Sequence, residues 1–204
     1  MRLALALVVA VVGTGTPMSA DVPRLHDPWA RVRPMQKRVE TLLSAGMSGS
    51  ATFRDLVRRV EASDVIVYVE VGRGLGAGKG ASTSFVAASA THRYLRVRLS
   101  ADLTRDVQVA LLGHELQHVV EVAGAPGVRS PETLRDFYRR SGLRTGPDSY
   151  DSVAARQAGY QVRAELRQQP SGDLRLARRA GPDDDAVLDG GSIDDLGAGA
   201  PGTR

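Results

Sequence analysis

From Ser100 to Ala123 the chain carries one long helical pattern that is apolar on two opposite sides, and this segment limits the folds available to the rest. At about 100° per residue, Val107, Leu111, His114, His118 and Glu121 fall within about 80° of one another. Val109, Leu112, Leu116, Val119 and Ala123 gather on the opposite side. A helix apolar on both sides must be covered on both, so it belongs between two packed layers rather than on a surface. Ser100 suits its N-cap, and Gly124-Ala-Pro126 ends it.

The segments before this helix supply a sheet. Asp64 to Val71 is a β-branched run, too short and too rich in valine for a surface helix, and reads as a buried strand. Ser84 to Ser89 is a second strand. His92 to Ser100 is a third, with Leu95, Val97 and Leu99 alternating against Tyr94, Arg96 and Arg98, so one of its faces should be wet. Two helices precede the sheet, at Pro34 to Ala45 and from Ser50 or Thr52 onward, divided by Gly46 and Gly49. Two more follow the long helix. One opens at Ser130-Pro131 and ends near Gly142; the other covers about Tyr150 to Gln168. The expected fold is therefore α+β: a sheet of about three strands, two helices before it, then the long helix and two further helices.

The ends differ in character. Residues 1–20 place an apolar run from Leu3 to Val12 after Met-Arg and before Met18-Ser19-Ala20, the layout of a secretory signal peptide. That run is about ten residues, well short of the roughly 20 needed to span a bilayer as a helix, so export with cleavage near Ala20 is expected and a stable membrane span is not. Asp21 to Arg33 is proline-rich and should run over the surface with Trp29 as its anchor. Beyond Pro170 large apolar side chains are scarce, and residues 171–204 read as a disordered tail. Residues 21–170 are then the folded domain.

Composition removes several function classes. The chain has no cysteine, which excludes disulfides, thiolate ligands and a cysteine nucleophile, so any metal must be held by His, Asp or Glu. The net charge of +4 rests almost wholly on arginine, Lys37 and Lys79 being the only lysines. Those arginines are spread among acidic residues rather than gathered in a stripe with aromatics, and no nucleic-acid partner is expected. The glycine-rich stretch Gly72 to Gly80 has Arg73 and Gly80 where a phosphate loop needs Gly and Ser or Thr, and reads as a hairpin connection or a lid. Oligomeric state leaves no signal in the sequence.

The chemistry lies in Leu111-Leu-Gly-His114-Glu115-Leu-Gln-His118-Val-Val-Glu121, an HExxH motif inside the long helix. Histidines four apart project side by side, at a spacing that lets two imidazoles share one zinc. Glu115 sits about 100° round, able to reach a metal-activated water without ligating the ion. The plain alternative is a metal-free pair of core histidines. Two further readings stay open: an exported zinc-binding protein without turnover, and a basic protein that binds anionic polymers. The segment resembles the zincin metallopeptidases, and the order strand, active-site helix, later helix looks most like small gluzincins. The resemblance covers about Asp64 to Gln168 and is specific only at HExxH.

That resemblance implies a zinc peptidase acting on peptide or protein substrates, with His114 and His118 as metal ligands and Glu115 as general base. No histidine follows His118 at the metzincin spacing. The gluzincin pattern draws the third ligand from a carboxylate on a later helix, here Glu121, Glu132, Asp136, Asp151 or Glu165. Asp151 is preferred, because Ala154, Ala155, Ala158 and Gly159 beyond it would allow close helix packing, although Asp departs from the usual Glu. Glu121 is the runner-up, better suited to orienting His118. Tyr150 and Tyr160 are possible donors to a reacting oxygen, and His92 reads as a surface residue. Zincins bind extended substrate along an edge strand, which implies strand addition along Tyr94 to Leu99.

Overall fold

The structure is a computed structural model that describes residues 29–75, 79–146, 149–168 and 191–194. The leader-like residues 1–20 and most of the segment 171–204 lie outside the described residues. Five helices and seven strands run in the order β1 (Val32–Pro34), α1 (Lys37–Gly49), α2 (Ala51–Glu61), β2 (Val65–Gly72), β3 (Ala81–Ala88), β4 (Arg93–Ser100), α3 (Arg105–Ala123), α4 (Pro131–Ser141), β5 (Leu143–Gly146), β6 (Ser149–Asp151), α5 (Val153–Gln168) and β7 (Gly191–Asp194). This is an α+β fold. The strands form one mixed sheet in the order β1-β2-β4-β3-β7-β6-β5.

The three long strands are the expected ones, and four short strands extend the sheet beyond the expected three. β4 is not an edge. It pairs in parallel with β2 from Val65↔Arg93 to Gly72↔Ser100, and antiparallel with β3 from Ala81↔Leu99 to Ala88↔Arg93. Strand addition along Tyr94 to Leu99 is therefore excluded, since both backbone edges of that stretch are already bonded. The alternation in His92–Ser100 reported the faces of the strand correctly: Leu95, Val97 and Leu99 are fully buried while Arg96 is exposed. Face alternation says nothing about the hydrogen-bonding edges, which lie at right angles to it. One strand, β7, also falls in the tail that was expected to lack order.

α3 is buried almost throughout, as its two apolar sides demand, and touches β2, β3 and β4 as well as α1, α2 and α5. It starts later than Ser100, which stays in β4 and pairs with Gly72; the Ser100 carbonyl instead accepts from Gln108 Nε2 at 2.6 Å. Thr104 is the residue before the first turn. The C-terminus of α3 is fixed by Arg93, only 1% exposed, whose guanidinium donates to the carbonyls of Val122 (2.6 Å), Ala125 (2.7 Å) and Ala123 (3.1 Å). Asp64 completes the arrangement with both carboxylate oxygens on the same guanidinium. A buried cation is tolerable only when its donors are matched in this way, and here it also meets the negative end of the helix.

α4 opens at Ser130-Pro131 with a capping box, as the sequence suggests. α5 begins at Val153, so Tyr150 and Asp151 belong to β6 rather than to the helix. No helix among the described residues is long and apolar enough to cross a membrane.

Candidate metal centre

α3 and α5 approach closely at glycine. A Cβ on Gly113 would come 2.8 Å from Val162 Cγ2, and one on Gly159 would come 3.2 Å from His114 Cβ and 3.4 Å from the Ala110 carbonyl. Ala155 and Ala158 are buried in the same contact, whereas Ala154 is exposed and plays no part in it. The close approach carries β6, just ahead of α5, to the histidine face of α3.

There Asp151 meets both histidines. Its Oδ1 lies 3.2 Å from His114 Nε2 and 3.4 Å from His118 Nε2, and all three side chains are fully buried. Neither Nε2 is in hydrogen-bond geometry with a partner, despite these distances. Three atoms of ligand type brought together without hydrogen bonds at the imidazole Nε2 atoms are an arrangement that could hold an ion. Tetrahedral bonds of about 2.0–2.1 Å place ligand atoms about 3.3–3.4 Å apart, which matches the two distances seen. Two imidazoles and a carboxylate are also a donor set that zinc accepts, and the group could hold a metal ion. Burial alone would raise the Asp151 carboxyl, but the two imidazoles beside it, His114 and His118, hold it well below the ordinary carboxylate range. Arg156 Nε donates to its other oxygen, Oδ2, at 2.9 Å and orients the group.

Glu121 does not join this point. It lies on the far side of His118, with Oε2 3.0 Å from Nδ1. One turn along the same helix brings it to the back of the ring, and its carboxylate cannot also reach the Nε2 side. Four donors surround it: His118 Nδ1–H in the tautomer that leaves Nε2 free, Tyr138 Oη at 2.7 Å, Ser152 Oγ at 2.6 Å and, more distantly, Gln117 Nε2 at 3.5 Å. Ser152 Oγ in turn accepts from Ala155 N–H and so caps α5. One carboxylate thus joins α3, α4 and the start of α5 behind a histidine. Burial would lower the basicity of His118, yet Asp151 and Glu121 together push its pKa up to about 9.

Glu115 is fully buried beside the two histidines. Its Oε2 accepts from Thr83 Oγ1 on β3 at 2.6 Å, and its Oε1 has no hydrogen-bond partner. Burial pushes the Glu115 carboxyl up, with the two histidines pulling the other way. The other residues weighed from sequence lie elsewhere. Glu165 caps α2 through Ser50 and Thr52, Glu132 sits in the first turn of α4, and Asp136 pairs with Arg139. Tyr150 is partly buried against the core, and Tyr160 is 42% exposed in a surface groove with Thr52, Gln157 and Gln161. His92 is a partly exposed residue bonded to Thr91.

Thr83 and Tyr138 were not among the residues singled out from sequence. Tyr138 had a signal, since it shares a helical stripe with Leu134, but that stripe reads equally well as core. Thr83 lies one residue ahead of the predicted strand start, with nothing local to mark it. No family model, curated protein or solved structure matches the chain.

Proposed function

We propose that this protein is a zinc-dependent peptidase with a zincin-like site, in which His114, His118 and Asp151 hold the ion and Glu115 is the general base. One observation carries the reading. Three buried ligand atoms from two separate elements converge at 3.2 and 3.4 Å without hydrogen-bonding one another at the imidazole nitrogens. The retained Glu115, with one oxygen tethered and the other free, favours turnover over a purely structural site, which needs no base.

When bound, zinc supplies Lewis acidity that polarises a peptide carbonyl and makes water a stronger acid. The chain's own residues do the rest. Glu115 Oε1 takes a proton from the attacking water while Thr83 holds Oε2, so the carboxylate does not rotate away. A carboxyl raised by burial is a better proton acceptor than an exposed one and still able to give the proton back. Glu115 returns it to the amide nitrogen as the C–N bond breaks, leaving a carboxylate and an amine. Asp151, oriented by Arg156, and Glu121, clamped by Tyr138 and Ser152, keep the two Nε2 lone pairs on a common point throughout.

The test is metal analysis and peptide cleavage on the purified protein. About one zinc per chain is expected, absent from the double variant His114→Ala/His118→Ala, because the chain has no cysteine or second histidine pair to replace them. Cleavage should stop with chelator and return with zinc. Undiminished zinc in the double variant would remove the site from consideration, and cleavage indifferent to chelator would remove the mechanism.

A smaller effect is expected at Tyr138. Phenylalanine keeps the ring and removes the hydroxyl from Glu121, freeing the carboxylate that orients His118. Zinc affinity should fall about tenfold, the low end for an outer partner of a ligating histidine. Competition with a chromophoric chelator measures it, and unchanged affinity would show that Glu121 is held without the Tyr138 hydroxyl.

A further inference from the structure

β7 stands between two strands that serve the metal centre. On one side it runs parallel to β3 with Ala81↔Gly191, Ser82↔Ser192 and Thr83↔Ile193. On the other it runs antiparallel to β6 with Ser149↔Asp194 and Tyr150↔Ile193. A single position, Ile193, is therefore flanked by Thr83, which holds Glu115, and by Tyr150, the neighbour of Asp151. β7 also lies against α3, which carries both histidines.

We propose that Gly191–Asp194 is an exchangeable occupant of a backbone slot between β3 and β6, and that an extended peptide segment takes its place there. The slot offers hydrogen-bonding edges on two sides, and backbone pairing demands only an extended chain of any sequence. Its resident is poorly suited to hold it by its own preferences. Gly191 and Asp194 are residue types depleted in strands, and the segment is only four residues long. It follows α5 in the same chain, so it occupies the slot as a covalently attached competitor of any free peptide. β3 also continues past the resident. β7 pairs with Ala81 to Thr83 only, whereas β3 itself runs on to Ala88, so the resident covers less than half of the strand. The identity of that peptide as substrate rests on the peptidase reading; the existence of the slot does not.

The probe is a fluorescent peptide with the sequence of residues 188–196, added to full-length protein with chelator present so that no turnover intervenes. Ile193→Pro removes a ladder donor from β7 and should open the slot. The double variant Ser82→Cys/Ser192→Cys places two thiols at directly paired positions of a chain without other cysteines, so oxidation should lock β7 in place. Binding should be tightest in Ile193→Pro, at least about tenfold weaker in the natural chain, and absent from the oxidised double variant until a reductant restores the natural level. Equal binding by oxidised and reduced double variant would overturn the proposal, even if Ile193→Pro fails to fold. So would loss of bound zinc or a large drop in melting temperature in Ile193→Pro, because β7 would then be a fixed part of the sheet. Peptide bound as expected but never cleaved in zinc-loaded protein would leave the slot standing and sink the peptidase reading instead.

Discussion

Replacing Glu115 by glutamine should leave zinc bound and lower peptide hydrolysis by about 10²–10⁴-fold. The substitution is nearly isosteric at a fully buried position, so little packing is lost. The amide oxygen can still accept from Thr83 Oγ1, as Glu115 Oε2 does at 2.6 Å. That choice turns the NH2 group to where the free Oε1 stands, putting a donor in place of the only unsatisfied acceptor of the side chain. The variant therefore keeps the shape of the site and loses the one atom able to take a proton. General acid–base contributions of this kind are worth about 10²–10⁴-fold in rate. Metal content and cleavage rate should be read on the same preparation. A rate near that of the natural chain would take Glu115 out of the mechanism, whereas loss of zinc would show that it supports the ligands rather than the reaction.

The parts of this site that the sequence made legible are those encoded within one element. HExxH on α3 is a local pattern, since i and i+4 spacing fixes two side chains on one face whatever surrounds the helix. Glu121 is legible in the same way, and its place behind His118 follows from being three residues further on. Asp151 came into view only through a resemblance and through the small residues after it; Gly159 against His114 and Gly113 against Val162 are the contacts that make it possible. Its strand β6, like β5 and β7, has three or four residues, too few for alternation to register. Thr83 was out of reach for a different reason. Its bond to Glu115 crosses from β3 to α3, and nothing near Thr83 in the chain encodes that partner. The position of β4 inside the sheet was lost for a third reason, because edge or centre is decided by which strands return beside it. Local pattern thus gave the helix and the face that carries its two histidines, and topology gave the partners.

Asp151→Ala should weaken zinc binding more than Glu121→Ala does, and the gap should be large. Asp151 offers Oδ1 at 3.2 and 3.4 Å from the two Nε2 atoms, so its removal deletes one of three ligand atoms. Glu121 touches only Nδ1 of His118, so its removal loosens the ring and leaves all three ligand atoms in place. Changes to such outer partners cost roughly 10–100-fold in metal affinity, and the loss of a ligand should exceed that range. Asp151→Asn separates charge from shape. It keeps a side chain of the same size beside Arg156, but a neutral amide is a poor zinc ligand, so affinity should fall nearly as far as with alanine. Both substitutions at 151 also remove the carboxylate that the two histidines share in the metal-free protein. Melting temperatures of the metal-free forms are therefore needed beside the chelator competition, to separate a weaker site from a weaker fold. A Glu121→Ala variant that binds zinc as poorly as Asp151→Ala, with both metal-free forms folded, would move the third ligand to Glu121 and leave Asp151 as a hydrogen-bond partner of two core histidines.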